Sequence, residues 1–171
     1  MHTYRRLSQV FSKSGELIFD DSSKIVFFSD CHRGDGSPAD NFAPNSRLFC
    51  SALNFYYDKG YTYIEIGDGD ELWENRRFSK IKEYHEESFQ LMSKFFRDGR
   101  FFMIYGNHDV VKRRRNFACT NLYNFCGSNK NKEPMFENIK IHEGLILTYK
   151  NSGNRIFIVH GHQGDLLNDQ L

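Results

Sequence analysis

A layered α/β fold is predicted for this chain, and three observations predict it. Compact apolar runs alternate with stretches of helical period between Lys24 and Tyr105. Each apolar run ends in a polar string rich in Asp, His or Asn. Gly60 and Gly99 stand where the intervening helices should stop. The resulting β-loop-α-β-α-β order joins parallel strands by crossover helices, and ligands of such sheets sit beyond the carboxyl ends of the strands. At 171 residues the chain is long enough for a substantial core, and residues 1–171 are read as one domain.

The first twenty residues give no clear assignment beyond Leu17-Ile18-Phe19, which fits a short strand closing a hairpin or edging the sheet. Lys24 to Phe28 is a compact apolar run bounded by polar residues, as a buried strand should be. Residues 33–46 hold two Gly and two Pro and read as a loop of a length that usually serves function. Ser46 is placed to cap a helix running to about Lys59, with Leu48, Phe49, Ala52, Leu53 and Tyr56 at helical spacing. Tyr61 to Ile66 alternates like a strand. A second helix is predicted over Phe78–Arg97, followed by a strand from Phe101 to Tyr105. Residues 112–135 are polar, basic and irregular, with a turn at Gly127-Ser128-Asn129. Ile139–His142, Leu145–Tyr149 and Arg155–Val159 then read as an antiparallel meander whose last strand delivers His160.

Composition narrows the function classes. A hydrophobic share of 39% and a charged share of 26% are those of a globular protein, so disorder is not expected. A net charge of +1 argues against a surface built throughout for nucleic acid or anionic membrane. No apolar run reaches the roughly 20 residues needed to span a bilayer, and the start Met-His-Thr-Tyr-Arg-Arg lacks a signal peptide's apolar core. The four cysteines form no CxxC pair, so free thiols in a reducing cytoplasm are the simplest reading.

Four strings carry the chemistry: Ser29-Asp30-Cys31-His32, Gly67-Asp68-Gly69-Asp70-Glu71, Gly106-Asn107-His108-Asp109 and Val159-His160-Gly161-His162. Asp30 and His32, two apart on an extended chain, should face one side and grip one ion, with Cys31 turned to the core. Gly67 lets the backbone turn sharply before Asp68, whose two oxygens suit it to bridge two cations. Asp70, Glu71 and Glu74 crowd further charge there, a crowding that calls for a cation. Asn107 offers a neutral oxygen ligand, His108 is a natural proton donor, and Asp109 is placed to hold it. Each string alone is weak. Four in order, each at the end of a predicted strand, point to a centre with two metal ions.

This order resembles the calcineurin-like metallophosphoesterase superfamily over roughly Lys24 to Asp165, and the Gly-Asp-x-x-Glu variant at Asp68 and Glu71 resembles its bacterial branch of UDP-diacylglucosamine pyrophosphatase-like proteins. The resemblance implies a β-sandwich flanked by helices with a two-metal centre at one end. It implies that Asp30 and His32 hold the first metal, that Asp68 bridges, and that Asn107 and His160 hold the second. His108, oriented by Asp109, would lie near the leaving oxygen. The family's final Gly-His-x-His string is not found in the chain, so truncation of the sandwich at its C-terminal end is expected.

The expected activity is hydrolysis of a phosphate ester or anhydride, whether phosphomonoester, phosphodiester or pyrophosphate, by hydroxide activated between two divalent ions. Mn, Fe and Zn all suit mixed nitrogen and oxygen ligands. Arg33 is read as a phosphate contact on a phosphorylated small-molecule or nucleotide-like substrate. The run Lys112-Arg113-Arg114-Arg115 is read either as a solvated basic loop or as support for the alternative of a nuclease in the same superfamily. A second alternative is a catalytically impaired remnant that binds metal or phosphate without turnover.

Overall fold

The computed structural model describes residues 2–124, 134–165 and 168–169. It is built of two facing β-sheets with helices on both outer faces. The helices are α1 (His2–Lys13), α2 (Ser46–Asp58), α3 (Phe78–Tyr84), α4 (Glu86–Arg97) and α5 (Arg115–Asn121). The strands are β1 (Gly15–Phe19), β2 (Ile25–Phe28), β3 (Thr62–Ile66), β4 (Phe101–Ile104), β5 (Ile141–His142), β6 (Gly144–Tyr149) and β7 (Arg155–Val159). One sheet has the order β2-β3-β4-β5, parallel throughout. The other has the order β1-β6-β7, with β1 parallel and β7 antiparallel to β6.

Alternation along β3 shows why the layers form. Tyr63 points to the helix side, among Phe49, Leu53, Phe89, Phe95 and Phe101, where α2 and α4 cover the parallel sheet. Ile64, the next residue, points the other way and packs with Ile104, Leu145, Leu147 and Ile158 between the sheets. Phe157 faces out of the second sheet and meets Phe11 of α1 edge to face, 5.2 Å between ring centroids. Helix α2 ends at Gly60, at φ 76, where Tyr61 N–H reaches back to the Tyr56 carbonyl at 3.0 Å. Gly99, at φ 68, ends α4 the same way.

Four expectations are corrected. Of the two readings of Leu17-Ile18-Phe19 the sheet edge holds and the hairpin does not, since β1 is an edge strand parallel to β6; the unassigned residues before it form α1, signalled by Leu7, Val10 and Phe11 at helical spacing. The helix expected over Phe78–Arg97 breaks at His85, whose buried Nε2 meets Asp40 Oδ2 at 2.8 Å. The last three strands are not a meander: β5 joins β4 in the parallel sheet and only β6 and β7 pair antiparallel. The cap of α2 is Asn45, after a 3-10 turn at Ala43–Asn45, rather than Ser46. The expected turn at Gly127-Ser128-Asn129 lies outside the described residues, as does Cys126. No helix among the described residues is long and apolar enough to cross a membrane.

Candidate metal centre

Strands β2, β3 and β4 are parallel and in register, so the loops after them emerge side by side. The backbone keeps them together past the strand ends. Asp30 N–H donates to the Gly67 carbonyl at 3.2 Å, His32 N–H to Asp68 at 2.9 Å, and Arg33 N–H to Gly69 at 3.0 Å. Asp30, His32 and Asp68 nevertheless adopt left-handed backbone, with φ of 54, 50 and 49. The expected extended geometry for Asp30 and His32 is therefore corrected: the loop twists, and both side chains still reach one site. Two glycines let it close. A Cβ on Gly67 would lie 2.6 Å from the His160 ring, and one on Gly106 would lie 2.6 Å from Asp68 N.

Asp30, Asp68 and His160 bring three donor atoms within 4.8 Å of one another. His160 donates from Nδ1 to the Ile66 carbonyl at 2.9 Å and turns Nε2 to Asp68 Oδ2 at 3.0 Å. His32 Nε2 lies 3.9 Å from both Asp30 Oδ1 and Asp68 Oδ2. A second group, His32, Glu71 and His108, shares this edge. One oxygen of Glu71 receives both imidazoles, His32 Nδ1 at 2.9 Å and His108 Nδ1 at 2.7 Å. Trp73 stacks on the His108 ring at 3.8 Å between centroids. Asn107 is half-buried, next to His108 at the tip of the third loop.

The electrostatics follow from these contacts. Burial opposes protonation of His160, but Asp68 and the Ile66 carbonyl outweigh it and lift its pKa to about 9. Burial would raise the Asp68 carboxyl, yet His160 and the His108 amide hold it below the usual range. Glu71 is likewise held down by His108 and His32 against the cost of burial. The set of carboxylates and imidazoles fits divalent cations that accept mixed oxygen and nitrogen ligands.

Three other residues lie elsewhere than expected. Asp109 does not hold His108. Its oxygens accept from the amides of Gly106 (2.7 Å) and Gly69 (3.1 Å) and from Lys112 Nζ (2.7 Å). Arg33 does not face the site either: it is wholly buried, bonded to Glu65 at 2.8 and 3.0 Å and to Asp70 at 2.7 Å. Lys112 leaves the basic run and enters the same interior, 2.6 Å from Asp70. Asp70 is thus compensated from within the chain by Arg33 and Lys112, and Glu71 is hydrogen-bonded to two imidazoles. Arg113, Arg114 and Arg115 are exposed.

Sequence reasoning placed no role on Trp73 and used Glu71 only as part of a motif. Glu71 had a readable signal, its fixed spacing after Asp68; Trp73 had none beyond being the single tryptophan. A family model described as calcineurin-like phosphoesterase matches residues 23–170. No curated protein and no solved structure matches the chain.

Proposed function

The chain belongs to the calcineurin-like phosphoesterase family, and we propose that it is a hydrolase of phosphate esters or anhydrides whose centre takes two divalent ions. The observation that carries this reading is the convergence of Asp30, His32, Asp68 and His160 at one sheet edge, with Glu71 and His108 beside them. Asp30, His32 and Asp68 would hold one ion, and Asp68, Asn107 and His160 the other. When bound, the ions supply Lewis acidity, activating water and offsetting charge on the phosphoryl oxygens.

The chain's own groups have separate tasks. Asp68 offers one oxygen to His160 and the other to the His108 amide, so its plane is set before an ion arrives. Glu71 engages Nδ1 of both His32 and His108, which leaves each Nε2 unoccupied by that carboxylate, that of His32 lying 3.9 Å from Asp30 and Asp68. Nε2 of His32 is then a ligand and Nε2 of His108 a proton donor to the departing oxygen. Glu71 takes the orienting task that spacing had given to Asp109. Asp109 instead ties the loop of Gly69 to that of Gly106.

The Asp68-x-x-Glu71 spacing supports placement near the UDP-diacylglucosamine pyrophosphatase-like branch. A cytoplasmic location accords with free Cys31, Cys50 and Cys119. The exposed Arg113, Arg114 and Arg115 favour a nuclease as the second reading. Purified protein, loaded in turn with Mn, Fe or Zn, is expected to release nitrophenolate from p-nitrophenyl phosphate or its diester and to lose that activity with chelator. Turnover that chelation leaves untouched would refute the reading. Faster turnover of single-stranded DNA than of either small ester would select the nuclease.

A further inference from the structure

A pocket of about 390 Å³ adjoins the candidate centre, within the size range of small-molecule sites. Ser29, Asp30 and His32 line it on the side of the centre, and Asn41 and Asn45 add two uncharged polar side chains. Its walls are Phe28, Phe42 and Phe49 with Leu48 and Ala52 of α2. Phe49 packs edge to face against both Phe28 and Phe42, at 5.3 and 5.2 Å, so the wall is a fixed aromatic cluster. Leu48 stands at the rim with 72% of its surface exposed.

We propose that this pocket receives an uncharged aromatic ring on the arm of the substrate that stays attached to phosphorus, which makes the preferred substrate a diester-type compound rather than a monoester. The proposal rests on the metal-hydrolase reading and adds a substrate class to it. Its argument is one of position. His108 and Glu71 do not line the pocket; the His108 ring adjoins it only through His32, on which it packs edge to face at 4.6 Å. The leaving oxygen must lie near its proton donor. A group held at the Asp30 end is therefore the one that remains. A phosphomonoester has no such arm and would leave the apolar wall in water. An aromatic ring would cover it and find ring edges and faces to pack against.

The test compares p-nitrophenyl phenylphosphonate with p-nitrophenyl methylphosphonate, which share a leaving group and differ only in the retained arm. In both, water adds to phosphorus, the P–O bond breaks and nitrophenolate departs. After correction for alkaline hydrolysis rates, kcat/KM is expected to favour the phenyl compound by about tenfold or more. In Leu48→Glu and Ala52→Trp, which charge the rim and fill the floor, the ratio should fall towards one. Leu48 is exposed enough that its variant tests the pocket without burdening the fold. A second readout needs no turnover and uses uncharged probes, so that the carboxylates of the centre do not repel them: dimethyl phenylphosphonate, and not dimethyl methylphosphonate, should shift the backbone NMR signals of Leu48 and Ala52. A ratio near one in the unaltered protein, or a ratio unmoved in both variants, overturns the proposal. If neither phosphonate is hydrolysed with any metal, the hydrolase reading fails separately, and the NMR shifts alone decide the pocket: shifts at Leu48 and Ala52 uphold it, their absence overturns it.

Discussion

Replacing Lys112 with Met should destabilise the protein severely although Lys112 belongs to a surface-like basic run. Lys112 is wholly buried, with Nζ 2.6 Å from Asp70, 2.7 Å from Asp109 and 3.8 Å from Glu65. Burial disfavours its charge, but these carboxylates outweigh burial and raise its pKa above the ordinary lysine value. Arg33 is the other cation of this interior. Lys112→Met keeps the side chain's length, so little cavity opens and the lost charge is the main effect. Glu65 and Asp70 would keep the Arg33 guanidinium, while Asp109 would lose the cation bonded to it. Breaking a buried charge set in this way costs roughly 3–5 kcal/mol.

For a chain of this size each kcal/mol lowers Tm by about 2–4 °C, so a fall of roughly 6–20 °C is expected by calorimetry or circular dichroism. Arg114→Ala, at an exposed neighbour, should shift Tm by about 2 °C or less. High salt should leave the Lys112→Met deficit in place, because a buried cluster is little screened. A Lys112→Met protein melting within about 2 °C of the unaltered chain would refute the reasoning. A deficit that salt removed would show the lysine to act from the surface.

Other expectations concern the centre. Asp68→Asn should abolish metal uptake and hydrolysis, because Asp68 alone faces both proposed ions; near-normal metal content by mass spectrometry would exclude the shared-ligand role. His108→Ala should retain metal and lose about 10²–10⁴-fold in rate with alkoxide leaving groups, and much less with nitrophenolate; equal losses would rule out proton donation. A proton on His160, whose pKa reaches about 9, competes with a metal for Nε2. Metal affinity should thus climb with pH, by up to about tenfold per unit below that pKa, and a flat calorimetric profile from pH 6 to pH 8 would remove His160 from the ligand set. Asp30→Gly should raise Tm or leave it unchanged, since glycine adopts φ 54 freely, while weakening metal binding; a large loss of stability would mean that the carboxylate holds the loop.

The strands that carry the site were readable because each is a short apolar run closed by a polar string, as in Ile25–Phe28 before Asp30 and Thr62–Ile66 before Asp68. Those signals are local. What local patterns missed depends on partners far along the chain. His85 interrupts a helix for Asp40, 45 residues away, with no Gly or Pro to mark the break. Strand β5 pairs with β4 rather than with β6, its neighbour in sequence. From sequence Arg33 reads as a phosphate contact and Lys112 as part of a basic run facing solvent or nucleic acid, because cations of their type are seldom fully buried. Glu65 was the available clue: a carboxylate inside the strand Thr62–Ile66, on its helix-facing side, needs a buried cation, and Arg33 supplies it.

That buried charge set explains how the strained loops of the centre persist. Left-handed backbone at three non-glycine residues costs on the order of 1 kcal/mol apiece. The strain is localised at Asp30, His32 and Asp68, where the side chains must turn toward a common point. Opposing it are the amide bonds from Asp30, His32 and Arg33 to the loop after β3, together with Glu71 N–H to the Arg33 carbonyl at 3.0 Å. Arg33 therefore joins the two loops twice, through its backbone and through its guanidinium on Asp70. Asp109 adds the third loop by accepting from Gly69 and Gly106, and Lys112 neutralises it. The loops are thus fixed by contacts beneath the centre, and the proposed ligands above them are freed from holding the fold. Such a division lets Asp30 stand exposed, and it leaves Asp68 and His160 paired with each other, a pair that the proposed ion would open by taking the place of the His160 proton.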